Sequence, residues 1–229
     1  QNRKNFAKNR YIYVGGWARE IFGGSLRESA TESIDHNLKQ SNTAFKVASQ
    51  SSLSFSVVNE AGTFMYVSDM HLIWVVDLYE WEAWALAGDS TSGPGVNGKM
   101  GNSESTRFNY PRGLALEPHG ETLYVADSFN NQIRTLTQVH THNASTVEVY
   151  ISAGDLTGRQ RGRQEDLTDD PYQPLMTPHS LALDTSGFLY IGEESGYRLL
   201  RLSPDIKKPG FWTEMQPLMG SGVPPTSQW

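Results

Sequence analysis

His179 is the residue whose type and setting most directly suggest chemistry, because it opens the apolar string Pro178-His-Ser-Leu-Ala-Leu183. Neutral imidazoles converging from the first residues of strands can hold Zn²⁺ with one position left open for water or substrate. A second set is basic: Arg112, which follows Pro111 in a related string, and Arg159, Arg161 and Arg163 in Arg159-Gln-Arg-Gly-Arg163. Clustered guanidinium groups are what a polyanion such as RNA would seek. A third set is acidic: Asp69, Asp127 and Glu193 close three similar strings. Holding Ca²⁺ takes six to eight oxygens gathered in one place, whereas these residues lie 58 and 66 positions apart. Cysteine is absent, so thiolate zinc sites and disulfides are excluded. No Gly-x-Ser-x-Gly elbow, phosphate loop, His-Glu-x-x-His or dinucleotide fingerprint occurs either.

The elements that would position these residues repeat. Gly24, Gly88, Gly154 and Gly220 each follow a small or apolar residue at the end of a strand-like stretch, at spacings of 64, 66 and 66. The acids end the strings Met65-Tyr-Val-Ser-Asp69, Leu123-Tyr-Val-Ala-Asp127 and Leu189-Tyr-Ile-Gly-Glu193. In the middle copy an aromatic, Pro-x-Gly, a short apolar strand, Leu-Tyr-Val-Ala-Asp and Asn-x-x-Ile follow one another from Phe108 to Ile133. This pattern resembles the NHL repeat and so implies an all-β fold, an NHL-type β-propeller of four-stranded antiparallel blades. The period exceeds the roughly 40–50 residues usual for a blade, which implies enlarged loops.

Within the middle copy, alternation and turn residues predict strands over 113–117, 122–127, 132–137 and 146–152. Ile133, Thr135 and Thr137 should oppose Gln132, Arg134 and Leu136, and Val147, Val149 and Ile151 should share a face. The whole chain reads as a single propeller segment, 1–229, with a partial blade at 11–22 and blades built on 51–86, 111–152 and 178–219. Three and a part blades cannot close a ring that takes about four to eight. The rest is expected from a longer chain or from another copy. Each acid should accept hydrogen bonds from the backbone of the turn that follows it. The connectors, about two dozen residues rich in Gly, Ser, Thr and Asp, should line one face as they return to the next inner strand.

The string around His179 also resembles the inner strands of the peptidylglycine α-amidating lyase propeller, where such histidines bind a catalytic zinc. The matching position two copies earlier is expected within Gln50-Ser51-Ser52-Leu53, which has no histidine, and the copy between carries Arg112. A net charge of -6 disfavours nucleic acid in general, and Glu165, Asp166, Asp169 and Asp170 offset the nearby arginines. No apolar run is long enough to span a bilayer. Asn143-Ala-Ser145 is a glycosylation sequon, and the compartment stays open, the extracellular space included. The reading favoured is a non-enzymatic scaffold that binds a protein or peptide on its connector face, with no cofactor. The alternatives are a metal-dependent lyase or hydrolase of the amidating type with zinc on His179, and an RNA-binding NHL propeller.

Overall fold

In the computed structural model the chain is all-β. The structure describes residues 54–80, 82–88, 106–140, 144–160, 168–220 and 222, together with the strand pairing of 11–14, 17–20 and 101–102. A hairpin joins β1 (Tyr11–Val14) to β2 (Trp17–Glu20). The first blade is β3 (Ser56–Val58), β4 (Phe64–Ser68), β5 (Leu72–Asp77) and β6 (Glu82–Gly88). After the short β7 (Gly101–Asn102) comes the second blade, β8 (Pro111–Leu116), β9 (Thr122–Asp127), β10 (Gln132–Thr137) and β11 (Glu148–Ala153). The third is β12 (Pro178–Leu183), β13 (Leu189–Glu193), β14 (Arg198–Pro204) and β15 (Trp212–Met219). Each blade is an antiparallel meander in chain order. The innermost strands β3, β8 and β12 lie side by side, as propeller blades do around an axis.

The middle strands match the pattern-based boundaries, and the flanking ones shift. The innermost strand starts at Pro111 rather than 113, with an irregularity between Pro111 and Leu114. The outer strand starts at Glu148 rather than 146, because Ala144–Thr146 forms a 3₁₀ turn and Val147 is buried ahead of the strand. Alternation in β10 does not separate a wet face from a dry one. Five of its six residues are buried, since a blade in mid-array is covered on both sides.

Both faces of the second blade are covered. Toward the first blade it presents Leu114, Leu123, Val125, Leu136 and Val149, packed on Tyr66, Ile73, Val75 and Leu86. Toward the third it presents Ala115, Tyr124, Ala126, Ile133 and Ala153, which meet Leu189, Ile191, Leu200, Leu202 and Trp212, with Tyr124 and Trp212 5.2 Å apart between ring centroids. Small residues beside large ones let blade faces interdigitate at core density.

Two of the buried aromatics carry hydroxyls. Tyr66 donates to the Val139 carbonyl at 3.3 Å, and burial pushes its phenol up to about 12. Burial, aided by the Glu117 charge, does the same to Tyr124. A raised folded value means that the stability they contribute is complete below the ordinary phenol value of about 10 and disappears as pH rises through 12. In an alkaline titration, tyrosinate absorbance from these two should therefore appear together with loss of the β-sheet circular dichroism signal. Full ionisation near pH 10 with the fold intact would contradict this.

The connectors do more than return along one face. Gly101 and Asn102 of β7 pair antiparallel with Val149 and Glu148 on the outer edge of β11, making a fifth strand. One blade on, the Asp169 carbonyl accepts the Met215 N–H at 2.8 Å on the outer edge of β15. Met215 and Val149 are equivalent, being opposite Leu202 and Leu136 respectively. The described parts of both connectors thus touch the outer edge of the blade that follows them. An outer strand otherwise offers unpaired N–H and C=O groups to any passing chain.

Candidate functional site

Strand direction alternates within a blade, so the turn between its second and third strands and the connector into the next blade lie at one end, the connector rim. The repeated glycines fix this end. Gly88, Gly154 and Gly220 adopt φ of 109, 89 and 88°. A Cβ there would meet the carbonyl oxygen of His71, Asn131 or Tyr197, each time the residue before the third strand. Gly24 lies outside the described residues.

Backbone strain gathers at this rim. Among the described residues left-handed φ occurs at five non-glycine positions, and four are here: Tyr110 (50°), Asn131 (55°), Thr177 (52°) and Tyr197 (49°). Such conformations cost of order 1–3 kcal/mol and persist only where surroundings enforce them. Tyr110 and Thr177 each precede the proline that opens an innermost strand, where extended backbone is the rule. Each is held by the second-to-third-strand turn of the preceding blade: Tyr110 N–H donates to the Met70 carbonyl at 3.0 Å, and Thr177 N–H to Asn131 Oδ1 at 3.0 Å.

The strained turns present rings and charges. His71 meets Tyr110 edge-on at 5.3 Å between centroids, and Tyr110 meets Phe129 at 5.0 Å. The Arg112 guanidinium lies 5.7 Å from the Phe129 centroid and donates from Nη1 to Glu194 Oε2 at 2.7 Å. Phe129, Tyr197 and Leu156 are 47%, 41% and 58% exposed and all lie on this rim, so they form a group of exposed apolar side chains. Asn131 Nδ2 donates to the Gly158 carbonyl at 3.3 Å and Gln132 Nε2 to the Asp155 carbonyl at 2.7 Å, which brings the start of the connector, with Leu156, against the Phe129 turn.

Beneath the rim sit the repeated acids, and their hydrogen bonds reach beyond the turn that follows each. Asp127 Oδ1 accepts the Asn109 N–H at 2.8 Å, and Glu193 Oε1 accepts the Met176 N–H at 2.6 Å. Both donors lie two residues before an inner-strand proline, so these carboxylates clamp the arriving connector. Asp69 bonds forward, accepting Met70 N–H at 2.6 Å and Trp74 Nε1 at 3.1 Å. Asp127 also accepts from Asn130 Nδ2 at 2.9 Å and Arg134 Nη1 at 3.4 Å, with both members of the ion pair fully buried. Burial pushes the Asp127 carboxyl up to about 6 against the pull of Arg134, and lowers Arg134 in turn.

His179 is the second residue of β12, half-buried, its ring edge-on to Phe55 at 5.2 Å. The register corrects its alignment. Tyr66, Tyr124 and Tyr190 face Val57, Ala115 and Ala182, so three residues back the equivalents of His179 are Arg112 and Ser54, and not a position within 50–53, which lies outside the described residues. The first copy has no proline to set the count, and only hydrogen-bond pairing with the tyrosine strand does. No group of three His, Asp or Glu that could hold a metal ion occurs among the described residues. Arg159 is exposed with its Nε 4.0 Å from Asp155 Oδ2, while Arg161 and Arg163 lie outside the described residues, as do Asn143, Glu165 and Asp166. Tyr110, Phe129, Glu194 and Tyr197 went unselected from sequence. The available signal was the pair of bulky residues before equivalent prolines, Tyr110-Pro111 and Thr177-Pro178.

No family model matches the chain, and no curated protein matches it significantly. Solved structures do. A structure from the nidogen–laminin complex is 12% identical, covering 77% of this chain and 51% of that one, with a TM-score of 0.48. An auxiliary nutrient-binding protein from Bacteroides ovatus is 19% identical, covering 74% and 38%, with a TM-score of 0.48. A β-propeller domain from Myceliophteria thermophila is 12% identical, covering 78% and 47%, with a TM-score of 0.47. The chain therefore spans about a third to a half of the length of such structures, from 38% to 51% in these three. No helix among the described residues is long and apolar enough to cross a membrane.

Proposed function

We propose that the chain, read as an NHL-type propeller, is a non-enzymatic binding scaffold whose connector rim recognises a protein or peptide segment. The observation that carries this is the coincidence, on one rim, of four strained non-glycine residues with exposed Phe129, Tyr197 and Leu156. Strain kept by design at a surface of exposed rings fits a preorganised recognition site. A zinc site on His179 finds less support, because its equivalents are a guanidinium and a hydroxyl, Arg112 and Ser54. For RNA, the one described member of the arginine triplet, Arg159, already has Asp155 beside it.

Selection of a randomised displayed peptide library on the intact chain should enrich binders. Phe129→Ala should weaken them about ten-fold or more, the loss expected for a ring at the centre of a contact. Tyr79→Ala, 81% exposed at the opposite rim, should leave them unchanged. Equal binding by the Phe129 variant, or no enrichment at all, would sink the reading.

A further inference from the structure

We infer that the rim recognises an acidic side chain within an extended segment, flanked by apolar residues, which takes the place of Glu194 on Arg112. This rests on the binding reading above and specifies its ligand. The Arg112 guanidinium lies over the Phe129 ring at 5.7 Å, and Ser68 Oγ anchors the residue's main chain by donating to its carbonyl at 2.8 Å. Yet only Nη1 is engaged among the described residues, end-on to Glu194 at 2.7 Å. A guanidinium binds a carboxylate best through two parallel N–H···O bonds, so the internal partner uses the group incompletely. Glu194 is also the more exposed member, 54% against 25% for Arg112, and can swing into water at little cost.

A second donor lies on the neighbouring innermost strand. His179 occupies the place of Arg112 there, and the two backbones approach so closely that a Cβ on Gly113 would lie 2.7 Å from the His179 carbonyl oxygen. No hydrogen-bond partner of the His179 ring occurs among the described residues; the aromatic ring it meets is Phe55, edge-on. A guanidinium and an imidazole with unengaged N–H groups at neighbouring strand starts complement an anion. Exposed apolar groups lie on both sides, Phe129 and Leu156 on the second blade's turn and connector, Tyr197 on the third blade's turn. A chain passing between them continues in both directions, so the carboxylate is a side chain and not a terminus.

The peptides enriched from the randomised library test this on the intact chain. Each should carry Asp or Glu between apolar residues, and the end-blocked synthetic peptide should lose about ten-fold in affinity when that acid becomes Gln or Asn, the loss of one charge-assisted pair. Arg112→Gln should abolish the difference between the acid and amide peptides, and Glu194→Gln should tighten the acid peptide several-fold by removing the competitor. Enriched peptides without an acid, an acid–amide difference that survives Arg112→Gln, or dependence on a free C-terminus would each overturn the inference while leaving a binding rim standing. Absence of any enrichment would instead remove the binding reading itself.

Discussion

Arg134→Met alone should cost about 3–5 kcal/mol of unfolding free energy, the loss seen when one member of a buried ion pair is deleted. The cause is the carboxylate left behind. Asp127 is fully buried, and its charge is tolerated because Arg134, the Asn109 N–H and Asn130 surround it. Even so burial wins, holding the folded value at about 6 against 3.8 unfolded. A raised folded value contributes stability that is complete below the unfolded value and is lost as pH rises through the folded one. For Asp127 the window runs from about 4 to 6, and the loss amounts to up to about 3 kcal/mol. Removing the guanidinium raises the folded value further, so the penalty of Arg134→Met should be larger in urea unfolding at pH 8 than at pH 5. Arg134 itself is poorly compensated, its Nε and Nη2 buried without a partner. Combining Arg134→Met with Asp127→Asn, which keeps the acceptor for Asn109, should therefore recover most of the loss. A single variant within about 0.5 kcal/mol of the parent at both pH values would show that the pair is hydrated and outside the core.

Gly113→Ala should be nearly as damaging, about 3 kcal/mol or more, as overpacking against backbone rather than side chain. The added Cβ would lie 2.7 Å from the His179 oxygen, 2.7 Å from Leu181 N and 2.8 Å from Ser180 Cα. None of these atoms can rotate away, so the second and third blades would have to part at their innermost strands. The equivalent residue of the third blade is Ser180, whose side chain is exposed. Ser180→Ala should leave the thermal midpoint unchanged. Equal effects of the two substitutions would mean that the inner strands do not touch at Gly113.

Local features were legible in the sequence and cross-blade ones were not. Strands β9 and β10 were found to the residue because turns bound them on both sides and the Leu-Tyr-Val-Ala-Asp string is repeated. The repeated glycines likewise marked a fixed geometry, that of Gly88, Gly154 and Gly220 against the third strand. The connector partners of Asp127 and Glu193 do not show in the sequence because they lie 18 and 17 residues away, whereas turn chemistry is local. Arg134 reads as the polar side of an amphipathic strand, and only the packing of one blade on another buries it. The rim of Tyr110, Phe129 and Glu194 escaped notice for the same reason: its members come from two blades and acquire meaning only when stacked.

The order of cover and covered bears on how the chain is made. Gly101 and Asn102 precede the β11 edge that they shield, and Asp169 precedes Met215. During synthesis from the N-terminus, the shielding segment leaves the ribosome first, and the outer strand emerges last into a partner already waiting. In the second and third blades the finished outer edge therefore has its cover at hand while the next stretch is translated, the interval in which neighbouring polysomal chains could pair with it. The same order sets the module. A self-protected unit runs from connector through outer strand, so grafts or duplications cut just after Gly88 or Gly154 would carry the shield with the blade, while cuts at Pro111 or Pro178 would strand one without the other.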